Sequence, residues 1–284
     1  MIDDALSQAA DDLRASGIRT ARLDAELLLQ HALGINRSAL LTMDDRDLSP
    51  AEKDVYFNLI ARRRTREPLQ YITGEAAFRH LVLRVTNDVL VPRQETEWVA
   101  EEVLDAIRHV NQPRVLDIGT GSGAIAISIA YEAGWAEVVA TDISRAALSI
   151  AIGNAKNYNV DGKIQFLLSD YFANLPERME KSFNVIVSNP PYIRSSELVG
   201  LEPEVRDYEP LVALTPGDDP LSPHRVIAAG APRFLKNDGI LILEIGSGNG
   251  EEGKAILDST GFYKDVELML DLAGQDRVIK GRLK

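Results

Sequence analysis

The stretch SNPPYI, residues 188–193, places an amide, two prolines and a tyrosine directly after an apolar run. Asn189 precedes a proline and is therefore biased toward extended backbone. Pro190 and Pro191 have no N–H to donate, so a central strand ends before them. The stretch predicts a stiff turn with free carbonyl acceptors, a side-chain amide and a ring, although most Pro-Pro pairs only terminate strands.

These groups suit a planar nitrogen acceptor, such as a side-chain amide or an aromatic amine, which offers two N–H donors. The side-chain oxygen of Asn189 and the carbonyl of Pro190 could accept one each, and Tyr192 could pack on the planar group. As the nitrogen attacks a sulfonium methyl group it gains positive charge, so both hydrogen bonds strengthen in the transition state. Such a transfer needs no strong base, and the motif contains no His or Lys.

A glycine-rich loop, DIGTGSG at residues 117–123, follows a predicted strand and opens a predicted helix. Glycines allow the backbone to turn sharply and to approach a ligand closely at a helix N-terminus. The spacing is ambiguous, because Gly119, Gly121 and Ala124 also satisfy the dinucleotide pattern with its allowed final alanine. A tight turn that binds no ligand is a further alternative.

Three polar or aromatic residues end the next two predicted strands. Asp142 follows the loop by roughly 20 residues, where a carboxylate can accept both hydroxyls of a ribose. NAD and S-adenosylmethionine both carry a ribose, so Asp142 does not separate them, and Asp142 or Ser144 could instead cap a helix. Asp170 and Tyr171 are placed to meet an adenine edge and face, with an ordinary strand-end loop as the alternative.

From about residue 113 onward, apolar strands alternate with helical segments. The strands are predicted at 114–119, 137–143, 163–170, 183–189 and 239–246, with weaker ones at 265–270 and 276–280. This alternation predicts a doubly wound α/β domain with a mostly parallel sheet. In such a sheet the ligand crevice lies at the switch point, so Gly119 and Asn189 should face each other across it.

The chain before this region predicts a separate helical domain. Helical spacing in ARLDAELLLQHALG stops at Gly34, and Ser49-Pro50-Ala51-Glu52 has the cap, proline and glutamate of a new helix. Arg62-Arg63-Arg64 is expected to be a solvated helix end rather than a nucleic-acid patch. Two strand-like runs separated by Thr86-Asn87-Asp88 then predict a hairpin linker. The predicted domains are 1–67 (helical), 68–92 (hairpin linker) and 93–284 (α/β).

Composition limits the class of partner and of site. The 284 residues include 31 basic and 43 acidic side chains, a net charge of −12 that repels phosphate backbones and suits a basic partner. The absence of cysteine excludes disulfides and thiolate metal sites, and the scattered His31, His80, His109 and His224 predict no metal cluster. The acidic N-terminus is unlike a secretory signal, and no uncharged stretch reaches spanning length. A cytoplasmic protein is expected.

Five segments in order resemble the PrmC/HemK family, the glutamine methyltransferases of peptide-chain release factors. They are VPRQETE (91–97), DIGTGSG (117–123), NPPYI (189–193), EPLVAL (209–214) and DLAGQDRV (271–278). NPPY alone is shared with methyltransferases of adenine and guanine amines in DNA and rRNA, but the ordered set covers nearly the whole chain. Relatives commonly have proline at Gln94 and often tryptophan at Tyr171.

The resemblance implies a class I S-adenosylmethionine-dependent methyltransferase fold and the glutamine of the Gly-Gly-Gln motif as the methyl acceptor. It implies release factors as partners, and the helical domain is expected to dock them. The predicted catalytic residues are Asn189, Pro190 and Tyr192, and the glutamine site adds Pro191. The predicted cofactor-binding residues are Gly119, Thr120, Gly121, Ser122, Gly123, Asp142, Asp170, Tyr171 and Asn189.

Other functions remain as alternatives. A nucleic-acid amine methyltransferase would use the same turn, but the charge of −12 and the lack of a basic recognition segment disfavour it. A non-catalytic cofactor-binding module would not need Asn189 and Tyr192, and hydride transfer to NAD would need an acid–base residue that is not evident. Arg93, Glu95 and Glu97 are either a surface salt-bridge cluster or neighbours of the cofactor.

Overall fold

The computed structural model describes residues 1–43 and 46–284, which divide into two compact units. The smaller unit comprises Met1–Glu75 and Leu201–Tyr208, and the larger comprises Ala76–Gly200 and Glu209–Lys284. The chain therefore leaves the larger unit after the NPPY segment and returns to it at EPLVAL. The predicted boundaries at residues 67 and 92 stay a prediction.

Helices and strands are numbered in chain order. The helices are α1 (Ile2–Ala15), α2 (Ala21–Leu33), α3 (Arg37–Leu41), α4 (Pro50–Arg64), α5 (Leu69–Thr73), α6 (Thr96–Ile107), α7 (Ala124–Glu132), α8 (Arg145–Asn157), α9 (Pro203–Arg206), α10 (Leu211–Leu214), α11 (Ser222–Phe234) and α12 (Gly250–Thr260). The strands are β1 (Glu75–Phe78), β2 (Leu81–Arg84), β3 (Arg114–Ile118), β4 (Glu137–Asp142), β5 (Ile164–Leu168), β6 (Phe183–Ser188), β7 (Leu235–Glu244), β8 (Tyr263–Leu270) and β9 (Asp276–Leu283).

The smaller unit is helical, as predicted, and its helix ends follow from local residue types. Ser49 caps α4: its hydroxyl accepts the Glu52 N–H at 3.3 Å, while the Glu52 carboxylate accepts the Ser49 N–H at 2.8 Å. Gly34 ends α2 in the left-handed conformation, with a φ of 65°. The apolar faces of α1, α2 and α4 enclose one core that includes Leu13, Leu28 and Ile60.

The expectation of a solvated arginine cluster is wrong for Arg63, whose side chain is only 7% exposed. Its guanidinium donates to Asp24 at 2.8 Å and to Glu204 at 2.9 Å. Arg66 donates to the other oxygen of Glu204 at 2.6 Å. A buried charge requires paired partners, and those partners come from α2 and from the returning segment 201–208. The ion pairs therefore hold that segment against the helices of its own unit.

The larger unit contains a seven-stranded sheet in the order β5-β4-β3-β6-β7-β9-β8. β3 pairs in parallel with β4 on one side and with β6 on the other, and β9 is antiparallel to both β7 and β8. One apolar core joins the sheet to α6, α7 and α8, and a second joins it to α11 and α12. The predicted mostly parallel sheet, covered on both faces, is confirmed.

The hairpin lies within the predicted linker region, but its turn is not where the sequence suggested. β1 and β2 pair as a separate two-stranded sheet, so the connection is Arg79-His80 and not residues 86–88. Arg79 adopts a φ of 50°, and its guanidinium donates to Glu132 at 2.7 Å and to Glu101 at 2.8 Å. These partners on α6 and α7 stabilise a turn that a strand pattern alone does not predict.

His31, His80 and His109 are exposed, and His224 is buried. The Nε2 of His224 lies 2.8 Å from the carbonyl oxygen of Glu244, and burial lowers the pKa of His224 to about 4. No group of three or more His, Asp or Glu in residues 1–43 and 46–284 is arranged to hold a metal ion. Within those residues, none of the helices combines the length and hydropathy that a bilayer crossing requires.

Candidate active site

The glycine loop and the NPPY turn meet because β3 and β6 are neighbours in the sheet. Ile118, the last residue of β3, pairs with Ser188, the last residue of β6. The Ser188 hydroxyl also donates to the Ile118 carbonyl oxygen at 2.7 Å. Gly119 and Asn189 come directly after these two residues, and both line the same pocket. The predicted juxtaposition of the two motifs across one crevice is confirmed.

Two glycines of the loop, Gly119 and Gly121, have open space beside them, whereas Gly123 is tightly packed. The backbone N–H groups of Gly119 and Thr120 both donate to the Thr141 carbonyl, at 2.8 and 2.9 Å. No heavy atom lies within 4 Å of the position that a Cβ would take at Gly119 or Gly121, and both glycines line the pocket. Gly123 instead caps α7, and a Cβ there would come within 2.6 Å of the Ile127 side chain. Thr120 and Ser122 also line the pocket, whereas Gly123 does not.

Asp142 joins the glycine loop to the end of β4. Its Oδ2 accepts the Gly121 N–H at 2.8 Å, and its Oδ1 accepts the Ser144 N–H at 2.8 Å. Burial raises the pKa of Asp142, while these N–H groups favour its charged form. Each carboxylate oxygen can accept further hydrogen bonds, so Asp142 can hold the loop and still face a ligand in the pocket. Ser144 caps α8 by accepting the Ala147 N–H at 3.2 Å.

A second carboxyl group lies beneath the loop. Asp117 is buried in β3, and its Oδ2 accepts a hydrogen bond from the Thr120 hydroxyl at 2.7 Å. Burial raises the pKa of Asp117 to about 7, against the opposing effect of Thr120. Its Oδ1 has no hydrogen-bond partner among the described residues. Asp117 therefore supports the loop from below.

Asp170 and Tyr171 form the part of the pocket that follows β5. Tyr171 has a φ of 44°, and its carbonyl accepts the Ser169 hydroxyl at 3.0 Å. Ser169 N in turn donates to the carbonyl of Asp142 at 2.9 Å. Burial raises the pKa of the Tyr171 hydroxyl. The structure thus places these two residues beside Asp142, where the sequence predicted an adenine site.

One part of the NPPY turn lines the pocket, and the other part packs against the protein interior. Asn189, Pro190 and Pro191 line the pocket, and the Asn189 Nδ2 donates to the Thr96 hydroxyl at 3.0 Å. Tyr192 is not among the lining residues. Its hydroxyl donates to Glu244 at 3.2 Å, and burial raises its pKa. A Cβ on Gly246 would come within 2.9 Å of the Tyr192 ring, so the ring packs against that glycine.

Two features of the site were missed by sequence reasoning. Thr96 lies at the start of α6 and lines the pocket, and only its place in VPRQETE could have drawn attention to it. Arg93 donates to the buried Glu209 at 2.6 Å, so VPRQETE and EPLVAL meet at the pocket wall. Arg93 also lines the pocket, while Glu97 accepts the Arg79 N–H at 2.9 Å. These contacts give Arg93 and Glu97 different partners and argue against a shared surface cluster.

Comparison with known proteins assigns the family. Residues 4–74 match the PrmC N-terminal domain family, and residues 97–200 match the methyltransferase small domain family. The chain is 42% identical to the release factor glutamine methyltransferase of Cereibacter sphaeroides, over 99% of this chain and 98% of that one. The chain belongs to the release factor glutamine methyltransferase family. The relative of the same name from Burkholderia pseudomallei is 44% identical, over 97% of this chain and 96% of that one.

Solved structures show the same fold at low sequence identity. A methyltransferase from Pyrococcus furiosus is 16% identical with a TM-score of 0.50, covering 72% of this chain and 90% of its own. The hMettl16 catalytic domain is 14% identical with a TM-score of 0.57, covering 79% and 81% respectively. The class I methyltransferase fold predicted for this family member is confirmed, and the chain is a methyltransferase.

Proposed function

We propose that this protein transfers a methyl group from S-adenosylmethionine to the side-chain amide nitrogen of the glutamine in the Gly-Gly-Gln motif of peptide-chain release factors. The observation that carries the proposal is the shared pocket, in which the glycine loop after β3 lies opposite the Asn189-Pro190 turn after β6. Relatives named release factor glutamine methyltransferase, aligned over 97–99% of this chain, favour glutamine over a nucleobase amine as the acceptor.

The residues of the pocket fit S-adenosylmethionine as the cofactor. Open space beside Gly119 and Gly121 allows the backbone to approach a ligand closely, which a side chain at either position would prevent. Asp142 would accept the ribose hydroxyls, and Asp170 and Tyr171 would meet the adenine edge and face. Thr120, Ser122 and Gly123 complete the proposed cofactor loop. When bound, S-adenosylmethionine supplies an electrophilic methyl group on sulfur.

The acceptor glutamine would be held by the NPPY turn. Its amide has two N–H donors, and the Asn189 side-chain oxygen and the Pro190 carbonyl would accept one each. The nitrogen would gain positive charge as its bond to the methyl carbon forms and the carbon–sulfur bond breaks, so these two hydrogen bonds would strengthen in the transition state. The methylated amide would then lose one proton to water. Pro191 would limit the position of the amide plane, which keeps the nitrogen in line for attack. Tyr192, which packs against Gly246 outside the pocket lining, would support the turn from behind.

The partner is a macromolecule, and the chain has features that suit one. A net charge of −12 favours encounter with a basic protein surface. The smaller helical unit contains none of the residues that line the pocket, so we propose that it docks the release factor. Methylation of a translation factor would take place in the cytoplasm.

Mass analysis of a purified release factor tests this function. Incubation with the enzyme and S-adenosylmethionine should add the mass of one methyl group to the peptide that contains Gly-Gly-Gln. A release factor with that glutamine replaced by alanine serves as the matched control and should gain no mass. Transfer to naked DNA or rRNA in preference to release factor would overturn the assignment.

Calorimetry tests the cofactor separately. S-adenosylmethionine or its demethylated product should bind, and NAD should bind much more weakly. Asp142→Ala should weaken the cofactor's binding, because the ribose hydroxyls lose their acceptor and the Gly121 N–H loses its partner. Equal affinity before and after the substitution would remove Asp142 from the proposed cofactor site.

A further inference from the structure

The helix α10 contains most of the segment EPLVAL and forms part of the pocket wall. Val212 and Ala213 of this helix line the pocket, together with Pro210, which directly precedes it. Val212 is also 56% exposed, and its neighbour Leu211 is 60% exposed. A half-exposed residue that lines a pocket lies at its mouth. α10 therefore presents two aliphatic side chains at the entrance to the pocket that contains the NPPY turn.

The segment that carries α10 is fixed at both ends. Before the helix, Glu209 is buried and accepts a hydrogen bond from Arg93 at 2.6 Å. At its end, the Leu214 side chain is buried, and the Leu214 carbonyl accepts the Ile193 N–H at 3.0 Å. Ile193 directly follows the NPPY turn. A substrate group that pushes α10 away from the turn must therefore break buried contacts.

The chemistry of this wall limits what can pack on it. Residues 210–217 contain no charged side chain, so a charged group of the substrate would lose hydration there without gaining a partner. A glycine backbone fits an aliphatic wall, because glycine has no Cβ and its backbone can approach another group closely. The acceptor glutamine follows two glycines. When its amide reaches the NPPY turn, the backbone beside it lies at the mouth of the pocket.

We propose that Val212 and Leu211 select the residue that precedes the acceptor glutamine: they pack on the backbone of the glycine at that position and leave no space for a side chain. The inference rests on the proposed function and adds a substrate-selecting wall to it. Val212, which lines the pocket, makes the closer contact, and Leu211 extends the apolar surface outward. A methyl group on the preceding residue collides with Val212, and the attachment of α10 at both ends prevents relief.

Matched changes in enzyme and substrate test this contact as a double-mutant cycle. The ratio kcat/KM is measured for the wild type and for Val212→Ala, each with native release factor and with a Gly-Ala-Gln variant of it. The wild type should lose about tenfold on the Gly-Ala-Gln variant, the scale of one overpacked methyl group. Val212→Ala should lose about threefold on the native motif, because apolar contact is removed, but should methylate the Gly-Ala-Gln variant faster than the wild type does.

Control measurements locate the effect at the acceptor. The matched control Val226→Ala changes a valine of α11 that is 47% exposed and lies outside the pocket lining, and it should leave both kcat/KM values unchanged. The dissociation constant of demethylated cofactor, measured by calorimetry, should be the same in the wild type, Val212→Ala and Val226→Ala. Leu211→Ala should raise KM for native release factor about twofold. If thermal unfolding shows that Val212→Ala is not folded, the cycle is run with Val212→Ser.

The outcomes separate this inference from the function on which it rests. Equal fractional losses of the wild type and Val212→Ala on the Gly-Ala-Gln variant, or no loss of the wild type, would overturn the selecting role while the wild type still methylates native release factor. Weaker cofactor binding by Val212→Ala would place Val212 against the cofactor and would overturn it as well. Failure of the wild type to methylate native release factor would instead refute the proposed function.

Discussion

Replacing Gly123 by alanine should destabilise the larger unit more than the same change at Gly121. Both glycines have left-handed backbone, with φ values of 87° and 57°. They differ in surroundings: a Cβ on Gly123 would lie 2.6 Å from the Ile127 Cδ1 and 3.2 Å from the Ala151 Cβ. No heavy atom lies within 4 Å of the corresponding position at Gly121. Comparing Gly121→Ala with Gly123→Ala therefore separates the cost of backbone strain, which both variants have, from the cost of steric overlap, which only Gly123→Ala has.

The expected magnitudes follow from these two terms. An L-residue in left-handed conformation costs roughly 1–2 kcal/mol, and Gly121→Ala should lower the free energy of unfolding by about that much. Gly123→Ala adds overpacking between α7 and α8, which costs about 1–3 kcal/mol when a well-packed core must shift. The total for Gly123→Ala is therefore about 2–5 kcal/mol.

Urea unfolding followed by tryptophan fluorescence measures this difference. Trp98 and Trp135 are the only two tryptophans of the chain, and both lie in the larger unit, so the signal reports on the unit that contains the glycine loop. The unfolding midpoint of Gly123→Ala should fall clearly below that of Gly121→Ala. Equal midpoints, or a lower midpoint for Gly121→Ala, would refute the steric reasoning.

Three further substitutions have expected outcomes. Asn189→Ala should reduce the rate of methyl transfer by a factor on the order of 10²–10³, by analogy with the loss of an oriented oxyanion donor. Calorimetry of the same variant should show nearly unchanged S-adenosylmethionine binding. Turnover at the wild-type rate would contradict the mechanism. Arg63→Ala leaves Asp24 buried without its cation and should lower the free energy of unfolding of the helical unit by about 3–5 kcal/mol, measured by thermal unfolding followed by circular dichroism. The control Arg64→Ala, at an exposed position, should have little effect. Similar melting of the two variants would exclude the buried ion pair. Burial raises the pKa of Glu244 to about 7 from its ordinary 4.5, so its contribution to stability is present below pH 4.5 and is lost as the pH rises through 7. The free energy of unfolding should therefore fall more steeply with pH in this range for the wild type than for Glu244→Gln, and parallel pH profiles would show that the carboxyl is not buried as described.

Much of the site could be predicted because it depends on local backbone constraints. Proline cannot continue a strand, so β6 had to end before Pro190, and glycines at 119 and 121 indicated a turn that a ligand could approach. The capping box at Ser49 was predictable for the same reason, since all its groups lie within four residues. Apolar strand patterns then placed Gly119 and Asn189 at neighbouring strand ends.

Predictions failed where partners distant in the chain decided the outcome. The run of arginines at the end of α4 was expected to be solvated, yet Arg63 is buried because Asp24 and Glu204 are available to pair with it. The turn of the hairpin lies at Arg79 because acidic residues on α6 and α7 hold its guanidinium. Neither partner set can be inferred from the residue pattern around the arginine itself.

The sequence alone determined the order of the strands along the chain, the two motifs that follow β3 and β6, and the family. Only the tertiary structure brought Thr96 to Asn189, 93 residues away, and Glu244 to Tyr192, 52 residues away. It also joined Arg93 to Glu209 across 116 residues. Backbone propensity and apolar periodicity act over a few residues, whereas hydrogen bonds between side chains depend on sheet register and on where each helix begins. The orientation of Asn189 is therefore a property of the folded protein, although its presence is a property of the sequence.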